Sequence, residues 1–249
     1  MAKIVLIHGF AVHLTVPIIR PPFGPAACFK VFEKKVEDGE AKVFQWGIKK
    51  QVSPVRLLDP FFWIKHYQSE KAIATSSATL ERLQDFLEQE KPEIIICHSM
   101  GCYLLNNFCK NFSLPDSVKK IIFVQADTST TSASYAPSVP LHNFFCPWDP
   151  TLLISMIFNR EKRVGLFSSS KADKNIFWPL FLPINLHTST IRDKRFLEFV
   201  EFFSSTSITE NGFTPSQEGE LVKISDETLK QFKAGKIKGY KSAKSLFDK

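Results

Sequence analysis

An α/β protein, a three-layer sandwich around a mostly parallel six-stranded sheet, is the fold class this sequence predicts. Six short, apolar, β-branched runs alternate with longer segments of helical period, which is the pattern of βαβ units. One of these runs, residues 93–97, is apolar almost without a break, as a strand covered on both faces must be. The chain of 249 residues is also long enough for one sizeable core, since single α/β domains often run to roughly 200–250 residues.

The six runs are residues 4–7, 41–46, 93–97, 120–125, 143–146 and a weaker one at 181–186. Helices are expected over 27–36, 75–90, 100–110, 150–159 and 193–203. In the second of these, Leu80, Leu83, Phe86 and Leu87 fall on one face of a helix, so that face should be buried. Residues 127–140 are rich in Ser, Thr, Ala and Pro with no apolar period and read as a loop. Residues 163–180 mix Ser, Lys and aromatics and read as an irregular flap. Beyond Phe203 the composition shifts to Ser, Thr, Gly and Lys, which divides the chain into a main domain, 1–205, and a Lys-rich tail, 206–249. Ser225-Asp226-Glu227 and Gly235 provide start and stop signals for one or two short helices in that tail.

Charge and cysteine usage exclude several classes of function. The net charge is +7, but residues 223–249 alone hold eight Lys against three acidic residues, so the body is close to neutral. A nucleic-acid role for the body has little support on that distribution. Five Cys (28, 97, 102, 109, 146) include no CxxC pair and read as reduced, partly buried thiols. The six His lack metal-ligand spacing, so no metal is expected. The first apolar run is too short for a signal sequence or a membrane span, and a cytoplasmic location is the expectation. The 24 Phe exceed what a routine core needs, so some are expected to line an apolar cleft.

Two motifs carry chemistry. Cys97-His98-Ser99-Met100-Gly101 stands directly after the buried run and directly before an apolar helix, the context of a nucleophile elbow. The usual pattern is G-x-S-x-G; here the second glycine is Gly101, while Cys97 replaces the first with another small residue. The helix N-terminus then brings the Met100 amide and the helix dipole to a developing oxyanion. The second motif, His8-Gly9-Phe10, leaves the first strand on the same sheet edge, and the amide of Phe10 or Ala11 is a candidate second oxyanion donor. His8 itself reads as a strand-end histidine bonded to a loop carbonyl.

These motifs resemble those of the α/β-hydrolase superfamily, over roughly residues 3–203. The resemblance implies the strand order 2-1-3-4-5-6 and the chain order serine, acid, histidine, with the acid after a late strand and the histidine after the last. Ser99 would be the nucleophile, His187 the general base and Asp149 the acid that orients it, with Phe10 and Met100 as oxyanion donors. Asp127, after the fourth strand, is the rival acid. His98 is expected to pack under the elbow, and His66, His142 and His13 lie in a helical region, a strand start and the oxyanion loop. The aromatics at 61–63, 148 and 177–178 read equally as core filling and as an apolar acyl pocket lying in connections at the site edge. The implied activity is hydrolysis of a small-molecule carboxylic ester or thioester with an apolar acyl group, through an acyl-enzyme and without cofactor. An amidase or peptidase is one alternative; a non-catalytic binding protein that uses its tail to dock a partner is another.

Overall fold

A computed structural model of the chain describes residues 2–10, 14–15, 29–131, 139–178 and 186–205. Among these described residues the main sheet has six strands, all parallel: β1 (Ile4–Ile7), β3 (Ala41–Phe44), β5 (Ile94–His98), β6 (Lys120–Val124), β7 (Leu141–Phe145) and β8 (Lys174–Phe177). Their order across the sheet is β3-β1-β5-β6-β7-β8, which in main-sheet numbering is the expected 2-1-3-4-5-6. Two residues each of β2 (Leu14–Thr15) and β4 (Lys50–Gln51) pair separately in parallel.

Seven helices join or follow the strands among the described residues: α1 (Glu33–Glu37), α2 (Pro60–Ala74), α3 (Ser77–Glu90), α4 (Met100–Asn111), α5 (Pro150–Asn159), α6 (Leu186–Ser189) and α7 (Lys194–Ser205). β1 and β5 are buried at every residue, so both faces of the sheet are covered, consistent with a three-layer arrangement. One apolar cluster links Val5 and Ile7 of β1, Ile95 of β5, Leu83 and Leu87 of α3, and Leu104 of α4. Of the α3 face read from the sequence, Leu80, Leu83 and Leu87 are buried and Phe86 packs on Phe44 at 5.3 Å between ring centroids. Among the described residues no helix is long and apolar enough to cross a membrane.

Two expectations need correction. The sixth strand is β8, inside the stretch read as a flap, while 181–185 lie outside the described residues and Leu186 begins α6. Lys174-Asn175-Ile176-Phe177 alternates half-buried with exposed side chains; an edge strand of this kind has no continuous apolar run to betray it. Its position is fixed by polar groups instead, with Asp173 accepting from the Leu141 amide at 2.7 Å and Asn143 donating to Asn175 at 3.1 Å. Phe61, Phe62 and Trp63 lie not in a connection but in the first turn of α2, which Asp59 caps by accepting from the Phe61 amide at 2.9 Å, with Pro60 at the first helical position.

The chain divides into two compact units, Met1–Leu197 and Glu198–Lys249. Of the second, only 198–205 are described, so the expected tail helices lie outside the described residues.

Gly101 is what lets α4 start against the end of β1. A Cβ there would lie 2.4 Å from the Ile7 carbonyl oxygen and 2.6 Å from that of His8, both fixed backbone atoms. Gly101→Ala is therefore expected to cost about 1–3 kcal/mol or more and to lower the melting temperature by several degrees; an unchanged melt would show that the β1 end has slack.

Candidate active site

β5 ends at His98, and the next residue turns the chain into α4 with φ 53° and ψ −122° at Ser99. That conformation is sparsely populated for a residue with a Cβ and costs on the order of 1–3 kcal/mol. It persists because backbone hydrogen bonds hold it from both sides. The Ser99 amide donates to the Val124 carbonyl at 3.0 Å, and the Ser99 carbonyl accepts from Cys102 at 3.0 Å and Asp127 at 3.1 Å. The turn leaving β1 presses on the same spot: a Cβ on Gly9 would lie 2.8 Å from the Ser99 Cβ. Cys97, in place of an elbow glycine, is fully buried and its carbonyl accepts from the Cys102 thiol at 3.2 Å.

Ser99, His187 and Asp149 come together although 88 and 38 residues separate them from their partners. His187 Nε2 stands 2.7 Å from Ser99 Oγ, and His187 Nδ1 stands 2.8 Å from Asp149 Oδ2. With its proton on Nδ1, donated to the carboxylate, His187 offers Nε2 as acceptor to the serine hydroxyl. The Ser99 side chain accordingly makes no cap bond to α4.

Asp149 is buried at the N-terminus of α5, where one oxygen accepts from the Thr151 and Leu152 amides at 3.0 and 3.2 Å. Its other oxygen accepts from Gln125 Nε2 at 2.7 Å as well as from His187. Burial pushes this carboxyl's pKa up, but the His187 charge and these hydrogen bonds outweigh it and hold it below the ordinary value. His187 shows the counterpart: burial pulls its pKa down, yet Asp149 draws it above the ordinary histidine value.

Asp127 does not reach His187. Its carboxylate accepts from Ser155 Oγ at 2.5 Å and from the Tyr67 hydroxyl at 3.0 Å, and the fully buried Arg163 places Nε 3.3 Å from it. The same β-strand edge thus carries two buried carboxylates with different partners, one in the serine–histidine chain and one in a polar cluster behind it.

Phe10 packs its ring against His66, Tyr67 and Trp63 of α2, with centroids 5.3, 5.6 and 6.1 Å away. The Phe10 and Met100 amides belong to the residues after Gly9 and Ser99; that of Met100 is at the first position of α4, where an amide has no intrahelical partner. Ala11 and His13 lie outside the described residues. His8 is a strand-end residue, as expected: Nδ1 donates to the Gly9 carbonyl at 2.9 Å, Nε2 accepts from the Trp46 amide at 3.3 Å, and the ring stacks on Trp46. Of the other aromatics, Trp148 and Phe177 meet edge-to-face and are exposed, while Trp178 packs on Phe144.

Two contributions carry no signal in the sequence. His98 is buried at the end of β5, and its Nε2 donates to the His187 backbone carbonyl at 2.7 Å, with the two rings tilted together at 4.9 Å. Burial, with the neighbouring His187, lowers its pKa to about 3, so the ring is neutral and holds the His187 backbone without adding charge. Gln125, in the left-handed region at φ 48°, was likewise unmarked in the sequence. No family model matches this chain, and no curated protein matches it in sequence.

The two carboxylates should separate experimentally. Removing Asp127 leaves the buried Arg163 with only the exposed Glu161 carboxylate, 3.9 Å away, so Asp127→Ala is expected to lower the unfolding free energy by about 3 kcal/mol, read from urea melts. A loss below 1 kcal/mol would mean that water already solvates that cluster.

Proposed function

We propose that the protein is a serine hydrolase of the α/β-hydrolase fold that cleaves a carboxylic ester or thioester through an acyl-enzyme. The observation that carries this reading is the hydrogen-bonded run from Ser99 through His187 to Asp149, starting at a strained strand-to-helix turn. A serine hydroxyl is a weak nucleophile until an imidazole takes its proton, and a carboxylate on the far nitrogen fixes the tautomer and stabilises the imidazolium.

In the proposed reaction Ser99 Oγ attacks the acyl carbon while its proton passes to His187 Nε2. The carbonyl oxygen becomes an oxyanion that accepts from the Phe10 and Met100 amides. The tetrahedral species collapses by breaking the bond to the alcohol or thiol, which leaves with the proton from His187. Water then repeats the sequence: His187 takes its proton, the hydroxyl attacks the acyl carbon, and Ser99 leaves with that proton restored. The aromatic rings of Phe10, Trp63 and Tyr67, gathered where the chain leaves the Gly9 turn that presses on Ser99, favour an apolar acyl group.

Labelling with a fluorophosphonate probe, paired with hydrolysis of p-nitrophenyl esters, tests the assignment. Wild type should label and turn over, and Ser99→Ala should do neither, with turnover reduced by several orders of magnitude. Persistent labelling in Ser99→Ala would move the nucleophile elsewhere, and a wild type that neither labels nor hydrolyses would favour the non-catalytic binding protein.

The pH profile tests the histidine independently. Turnover requires neutral His187, and Asp149 raises its pKa, so activity should rise with pH through a midpoint above the ordinary value of about 6.5. Asp149→Asn removes the attraction that favours the imidazolium, so the midpoint should move to lower pH while the plateau falls by about 10⁴-fold. A midpoint that stays in place would show that Asp149 does not face the working base.

A further inference from the structure

The segment between β4 and the body of α2 presents apolar side chains outward. Val55 and Leu58, on the 3₁₀ turn Pro54–Leu58, are 76% and 84% exposed, and Phe61 in the next turn is 70% exposed. Three residues per 3₁₀ turn put Val55 and Leu58 on one side. This crest is not a frayed loop. Val52 and Phe62 are buried beneath it with Leu57 and Trp63 packed against them, and Trp63 Nε1 donates to the Leu57 carbonyl at 2.8 Å.

Beside the crest lies a cavity of about 320 Å³ whose wall includes Lys50, Arg56, Lys65, Asp59 and Phe61. Lys49 is exposed next to Lys50, and Asp59 is the one acidic residue between 47 and 65. The Asp59 side chain is committed to capping α2. Lys50 also lies over the buried Phe62 ring at 5.5 Å. The surface therefore combines large exposed apolar groups with an excess of cations.

We propose that this face docks on an anionic lipid bilayer, with Val55, Leu58 and Phe61 entering the acyl boundary and Lys50, Arg56 and Lys65 taking lipid phosphates at the cavity. Charge complementarity selects that partner. Apolar groups ringed by cations suit an anionic interface, whereas a second copy would bring like charges together. The chain's own tail has the wrong sign as well, since residues 223–249 carry a net +5. The face connects inward to the candidate site, with Phe62 stacked on His66 at 5.6 Å and His66 against Phe10 at 5.3 Å. On the hydrolase reading, on which this last step alone rests, the ester is drawn from the bilayer along that aromatic path.

Flotation of the full-length protein with vesicles tests docking without reference to chemistry. The chain should bind vesicles of phosphatidylcholine containing about a third phosphatidylserine and bind phosphatidylcholine alone far more weakly. Lys50→Gln, Arg56→Gln and Lys65→Gln together should weaken partition on the order of a hundredfold, and Leu58→Asp with Phe61→Asp by tenfold or more. Ser99→Ala should bind as wild type, so failure of the hydrolase reading leaves this result intact. Unchanged thermal melts show that the variants fold. Absence of binding to both vesicles, partition unaffected by either set of substitutions, or self-association of the chain that Leu58→Asp abolishes would each overturn the proposal.

Discussion

The rest of the site hangs on one backbone turn. Ser99 sits at φ 53° because β5 ends buried between β1 and β6 and α4 must start at once. The Val124 carbonyl holds the serine amide, and the Cys102 and Asp127 amides hold its carbonyl. Together these bonds offset the cost of the strained conformation and tie the hydroxyl's position to the ends of two strands. Gly9 and Gly101 make the turn sterically possible, since the backbones of β1 and α4 meet where any side chain would collide. A hydroxyl so placed is free of helix capping and meets His187 instead.

Around that turn, burial is used in two directions. Asp149 and Asp127 are both buried at strand ends of the same sheet, yet their neighbours commit them to different work. Two helix amides, Gln125 and His187 stabilise the Asp149 charge and couple it to the histidine. Asp127 balances Arg163 and gathers Tyr67 and Ser155 behind the site. His98 completes the arrangement by gripping the His187 backbone while staying neutral. The histidine is thus held at its ring by Asp149 and at its carbonyl by His98, which keeps Nε2 aimed at the serine.

The aromatic content also divides by face. Phe62 and Trp63 anchor α2 and lead through His66 to Phe10, while Phe61, one residue earlier, points outward. Adjacent residues on a helix are about 100° apart, so a Phe-Phe-Trp run necessarily spreads over more than one side. Whether such a run fills the core or faces outside is decided by what the helix packs on, not by its composition.

What the sequence by itself determined is local and periodic: five of the six main strands, the buried face of α3 and the strand–Ser–helix turn. Each is written in a continuous apolar run, a helical spacing or a small residue beside a strand end. Only the tertiary structure decided that the sixth strand is Lys174–Phe177, because a half-exposed edge strand is positioned by Asp173 and Asn175 bonding to β7 and not by an apolar run of its own. It likewise placed Asp149, and not Asp127, against His187 and gave His98 its hold on the His187 carbonyl. Those choices depend on which groups the folded sheet brings within 3 Å of one another across tens of residues, and no spacing along the chain encodes such a distance.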